Sequence, residues 1–267
     1  QLGSERVVAP LVAHLDDENI AVMRSITESL SRLGDRRAVP PLIACLGNDN
    51  YRVRSAAAQA LSRFRDPRAT EALMACLRDT HQTVCNHAAI ALVKIGEPAV
   101  EMLIDSLTDD DPFMRSNAIT ALGILDDERA IAPLITSLED DHAHVRQNAI
   151  IALGEIGDER AVEPLIARLS DDESDVRCHA AGALSKINDP RAVPALIACL
   201  DDPVVDVRDW ATGALGHIGD ERAVQALIDL MHDPDQTIRS QIAAALGEIG
   251  NVRAVPALID CLSDDDY

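Results

Sequence analysis

Between Gly157 and Ile187 the chain reads GDERAVEPLIARLSDDESDVRCHAAGALSKI, with apolar residues at helical spacing in two blocks parted by an acidic turn. That pattern predicts two short helices. Gly157 closes the preceding helix, and Asp158 supplies an acceptor for the free backbone N–H groups of the next one. Pro164 falls early in a first helix running to about Leu169, where a missing N–H costs least. Ser170 to Ser174 form the turn. A second helix is expected from about Asp175 to Ile187, with Val176, Ala180, Ala183, Leu184 and Ile187 on one apolar stripe. Neither helix buries its stripe alone, so a neighbouring copy must supply the other wall.

Such copies run along the whole chain. The position of Arg177 recurs as Met23, Arg54, Cys85, Arg115, Arg146, Arg208 and Arg239, at 31-residue steps except for one of 30 at GEPAVEML. Six residues before each stands Asp17, Asn48, Asp79, Asp109, Asp140, Asp171, Asp202 or Asp233. An acid at the turn and an Arg on the following helix are expected to pair from repeat to repeat as a structural ladder, carried by Asp140, Arg146, Asp171, Arg177, Asp202, Arg208, Asp233 and Arg239. Met23, Cys85 and Asn48 interrupt it, so the first and third repeats should be looser or differently paired.

Composition narrows the class. The 267 residues are 47% apolar yet only 2% aromatic, so the core must be Ala, Leu, Ile and Val at close helix spacing. A formal charge of -21 argues against affinity for nucleic acid. No apolar run reaches the roughly 18 residues of a membrane helix, and no signal peptide is visible. Six cysteines without a CxxC pair fit a reducing, cytoplasmic setting and give no disulfide or zinc framework.

Tandem helix pairs with a turn Asp, an Arg six residues on, and the phrases DERAVEPLI and VRxxAAxALxxIG resemble HEAT repeats, in particular the subclass named after phycobilin lyases. The resemblance covers essentially the entire chain. It implies an all-α fold, a right-handed α-solenoid of about eight and a half hairpins over residues 1–267, with second helices lining the concave side. That family includes scaffolds, chromophore lyases and a di-iron hydroxylase, so fold alone does not choose among them. Gln1-Leu2-Gly3 aligns with the tail of a second helix and the sequence stops after a first helix near Leu262, so the array is expected to continue in flanking repeats or to self-associate end to end.

Function is expected where second helices face away from the core, at positions one, two, five and nine after the ladder Arg and two before it. Near the start these are Arg24, Arg32, Arg52 with neighbouring Tyr51, Arg63 and Lys94, a basic strip suited to carboxylates or phosphates unless nearby acidic turns neutralise it. Next come His87, Phe113, Asn117, Thr120, Ile124, Asn148 and Ile151, which offer apolar contact beside amides unless packing buries them. Further on lie Cys178, His179, Asp209, Trp210 and His217 beside Gly182 and Gly213, where missing side chains should leave a dip next to the single Trp.

Sharper chemistry finds little support in the residues. The chain has no His-Glu dipeptide, the ligand pair that the di-iron relatives repeat. The turn Asp140-Asp141-His142-Ala143-His144 is a solvated cluster, and Cys45, Cys76, Cys199 and Cys261 share a packing position. Cys178 and His179 diverge by 100° on a helix, which disfavours a thiolate pair. The sequence therefore points to a non-enzymatic scaffold without cofactor or metal, holding a protein partner with an acidic segment. The competing expectation is a bilin-lyase-like or tetrapyrrole-handling protein.

Overall fold

The computed structural model describes residues 5–15, 19–231, 233 and 235–261. Gln1 to Gly3, Asp17 and Leu262 lie outside the described residues, as does the side chain of Arg24. The chain divides into two compact units, residues 1–130 and 131–267.

Each unit is an α-solenoid built from the helix pairs the periodicity predicts. In the first unit, second helices span Ile20–Leu33, Tyr51–Phe64, Gln82–Ile95 and Pro112–Leu125. In the second they span Ala143–Ile156, Ser174–Ile187, Val205–Ile218 and Gln236–Ile249. First helices such as Val39–Cys45, Thr70–Cys76, Val162–Arg168 and Val193–Ala198 are half that length.

The short first helices have a local cause. A second helix ends on a residue in the left-handed region: Gly157 at φ 74°, Gly219 at φ 71°, and Asn188 at φ 58°. An Asp then accepts the backbone N–H two residues on and opens a 3₁₀ turn, as Asp158 does for Arg160 N at 2.9 Å before the turn Glu159–Ala161. The same Asp takes the side chain of that Arg, with Arg160 Nε at 2.8 Å and Nη2 at 2.8 Å. Asp35 with Arg37, Asp66 with Arg68, Asp127 with Arg129, Asp189 with Arg191 and Asp220 with Arg222 repeat the fork. The α-helical first element therefore starts later than the periodicity implies, at Val162 rather than beside Asp158.

These forks make the fold acid-sensitive. Hydrogen bonds from Arg68, Arg129 and Arg160 hold the Asp66, Asp127 and Asp158 carboxyls down to about 2, against an ordinary value of 3.8. A carboxyl depressed on folding stabilises above its unfolded value and loses that contribution as pH falls through the folded one. The melting temperature, followed by circular dichroism, should be flat above about pH 5 and fall between about pH 4 and 2. Asp158→Asn should shallow that fall; Asn251 already holds the equivalent place as a neutral cap, accepting from Arg253 N at 3.0 Å. An acid limb unchanged in Asp158→Asn would remove the forks as its cause.

Cores are aliphatic. Val145, Ala149, Leu153, Val162, Leu165, Val176, Ala180 and Leu184 are fully buried in the second unit. Leu42, Ala57, Leu73, Val84, Ala88, Leu92 and Leu103 are their counterparts in the first. Alanines on facing second helices allow close backbone approach, which is how a chain almost without aromatics still packs.

Candidate functional site

Pairs between repeats frame the sites. Arg146 Nε and Nη2 donate to Asp171 at 2.9 and 2.7 Å, and its Nη1 reaches Asp140 O in its own turn at 2.9 Å. Arg177 does the same with Asp202 and Asp171 O, and Arg208 with Asp233 and Asp202 O. Arg239 Nη1 donates to Asp233 O at 3.0 Å. In the first unit Arg54 clamps Asp79 and takes Asn48 O. Each such Asp also accepts the backbone N–H two residues on, as Asp171 does from Glu173 N. Burial pushes the Asp171 carboxyl up, but the bonds from Arg146 and Glu173 N outweigh it and leave it below the ordinary value.

Where the guanidinium is missing, the partner changes. Met23 is buried, and the position 25 residues on, which is Asp in the paired repeats, is Asn48. The two interruptions are therefore one exchanged pair, with no charge left to desolvate. In the third repeat Cys85 Sγ donates to Asp79 O at 3.2 Å, and Asp109 is instead paired by Arg78 from the preceding turn.

The outward positions of the second helices differ in exposure. Positions five and nine after the ladder residue are open, as at Gln59, Arg63, Ile90, Lys94, Thr120 and Ile124. The position directly after it varies: Ser116 and Cys178 are buried, whereas Asn86 and Ser240 are exposed. Within the second unit the helix Ser174–Ile187 packs on Val205–Ile218, a contact that the wheel of a single helix does not show. Burial pushes the Cys178 thiol up to about 11, which favours the neutral thiol beside His179. Cys76 and Cys199 are held at about 11 for the same reason.

In the first unit a cleft of about 370 Å³ is lined by Met23, Thr27, Tyr51, Arg52, Ser55, Ala56, Gln59, Thr83 and His87. Tyr51 stacks on His81, ring centroids 4.0 Å apart and planes 6° off parallel, and the Arg52 guanidinium sits 5.8 Å from the Tyr51 centroid. His81, a loop residue, was not among the sequence candidates. Ser55 Oγ and His87 Nδ1 share a 2.7 Å hydrogen bond that ties adjacent second helices. Burial holds the His87 imidazole below its ordinary value, favouring the neutral ring.

The basic side chains differ in availability. Arg32 is paired with Glu28 at 2.7 Å. Arg52, Arg63 and Lys94 are exposed, and among the described residues no ion pair engages them. Phe113 is 68% exposed and Ile124 59%. Asn117 is committed elsewhere: its Nδ2 donates to Leu77 O at 2.8 Å, so it anchors a turn.

In the second unit Asn148 is half-buried and Ile151 exposed. A cleft of about 370 Å³ is lined by Gly182, Ser185, Lys186, Asp209, Trp210, Gly213, Ala214 and Gln241. The Trp210 ring lies on Gly182, where an added Cβ would meet Cζ3 at 3.0 Å, while a Cβ at Gly213 would meet nothing within 4 Å. Trp210 is still 53% exposed. His179 and His217 do not line this cleft, and His179 Nδ1 is bound to Asp175 O at 2.6 Å. Lys186 is paired with Glu155. Among the described residues no group of three or more His, Cys, Asp or Glu side chains could hold a metal ion, and no helix is long and apolar enough to cross a membrane.

A family model described as HEAT repeats matches residues 8–93, 77–146, 133–215 and 200–267. No curated protein matches the chain. Among solved structures, the karyopherin Kap121p bound to the extreme C-terminus of the protein phosphatase Cdc14p aligns at TM-score 0.73 and 16% identity, over 97% of this chain and 35% of that one. YibA of Escherichia coli aligns at TM-score 0.56 and 21% identity, over 91% and 92% of the two chains. The CpcE–CpcF phycocyanin lyase complex of Nostoc reaches TM-score 0.45 at 26% identity, over 84% and 94%.

Proposed function

Because the chain belongs to the HEAT-repeat family, we propose that it is a protein-interaction scaffold whose first unit holds an acidic segment of a partner against its second helices. The carrying observation is the set Arg52, Arg63 and Lys94, exposed and unneutralised in a protein of net charge -21. Acidic side chains are abundant here, so cations left without one are open to carboxylates from outside. Arg52 borders the Tyr51 cleft, which adds an aromatic wall for the segment's side chains. A segment bound to a solenoid has a parallel in Kap121p, whose structure holds the end of Cdc14p. The tetrapyrrole reading would set His179 and Trp210 on one ring system, and His179 does not line the Trp210 cleft.

A fluorescently labelled oligo-glutamate peptide, followed by anisotropy, tests the reading. Arg52→Glu with Arg63→Glu should weaken binding at least about tenfold, equivalent to about 1.4 kcal/mol. Moderate salt should weaken the wild type likewise. Equal affinity of the double variant and the wild type would overturn the assignment.

A further inference from the structure

The acidity of the chain is unevenly placed. Residues 131–267 hold 26 acidic and 10 basic side chains, a balance of -16, whereas residues 1–130 balance at -5. Within that acidic second unit stands the single Trp of the protein, half exposed above the floor left by Gly213. On the helix Val205–Ile218, Asp206 lies one turn before Trp210 on the same face, and Asp209 is its direct neighbour in the cleft lining.

Asp209 is half-buried, and its Oδ1 is screened from solvent without a hydrogen-bond donor. A carboxylate with one oxygen desolvated and without a donor keeps an uncompensated charge, and a cation set beside the part of it that lines the cleft offsets that charge. The other charge in the lining, Lys186, is already balanced by Glu155. What the cleft offers is thus one unbalanced carboxylate, an indole face, and the polar ends of Ser185 and Gln241.

We propose that the Trp210 cleft binds the cationic side chain, arginine or lysine, of a basic peptide segment. The cation lies over the indole face, its alkyl stem covers the Gly213 floor, and Asp209 is its carboxylate partner. The surrounding negative field steers such a segment toward the cleft. The proposal adds a second partner chemistry to the scaffold reading, and it stands or falls on second-unit side chains alone, apart from Arg52 and Arg63.

Trp210 is its own probe, because all tryptophan emission of the protein comes from it. An oligo-arginine peptide titrated into the full chain should change that emission saturably, and a Gly-Ser peptide should not. Asp209→Asn should weaken the titration at least tenfold, whereas Asp201→Asn, which removes an equal charge from an exposed turn, should leave it within about twofold of wild type. A Cβ at Gly213 meets nothing within 4 Å, so Gly213→Leu, which extends from that Cβ over the open floor and favours the helix, should abolish the response while circular dichroism matches wild type. An unresponsive Trp210, equal losses in the two Asn variants, or wild-type titration in Gly213→Leu would each overturn the proposal.

Discussion

Arg146→Ala is expected to destabilise the second unit by about 3–5 kcal/mol, because it strands a buried carboxylate and removes the donor to its own turn. Arg146 is 8% exposed and the Asp171 side chain 4%. Its guanidinium closes two bonds to Asp171, one to Asp172 at 3.0 Å and one to Asp140 O at 2.9 Å. Arg168 approaches Asp171 only to 3.8 Å, too far to replace it. The first unit shows what a neutral version looks like: Met23 stands at the Arg position and Asn48 at the Asp position. Arg146→Met should therefore cost nearly as much as the alanine change, while Arg146→Met with Asp171→Asn should recover most of the loss. Urea denaturation of the two variants and the double decides it. A single Arg146→Met costing under about 1 kcal/mol would show that water reaches Asp171 freely.

That exchange also marks how far the sequence could be read. The repeat step, the helix pairs and the ladder positions were legible because apolar periodicity and invariant spacing are properties of the chain itself. Met23 and Asn48 looked like separate defects, since the spacing seen in sequence was the six residues within a repeat. The Arg–Asp bond whose two places they occupy runs 25 residues forward and depends on how one turn sits over the next helix. Cys178 failed for a related reason. A wheel fixes the azimuth of a side chain on its own helix but not which azimuth a neighbouring helix covers, and Cys178 is buried on a helix that packs on Val205–Ile218.

The clefts were half legible. Gly182, Gly213 and Trp210 line one cleft, as a missing side chain in register with a large one suggests, while His179 and His217, grouped with them in the sequence, do not line it. The orphaned Oδ1 of Asp209 and the stacking of His81 on Tyr51 carry no spacing signal, for one is the absence of a donor and the other joins a loop to a helix start. Charge behaved likewise: net charge is in the sequence, but that Arg32 is neutralised and Arg63 is not depends on whether a carboxylate stands within reach.

Gly154 shows the same limit and supplies the other large effect. It was unmarked in sequence, one of several glycines near the ends of second helices, yet a Cβ there would lie 2.8 Å from Ala183 Cβ and 2.9 Å from Ala183 Cα. Ala183 belongs to the adjacent second helix, so the helices Ala143–Ile156 and Ser174–Ile187 would have to separate. Glycine normally weakens a helix interior by about 0.5–1 kcal/mol, so Gly154→Ala would gain that amount at an open position. Overpacking against backbone costs typically about 1–3 kcal/mol and should win here. Gly247, where a Cβ meets nothing within 4 Å, isolates the propensity gain. Gly247→Ala should raise the denaturation midpoint and Gly154→Ala lower it. Adding Ala183→Gly to Gly154→Ala should restore part of the loss, a coupling that only direct contact produces. If Gly154→Ala instead stabilises as Gly247→Ala does, the two helices are not held at contact distance and the close alanine seam is not what packs this core.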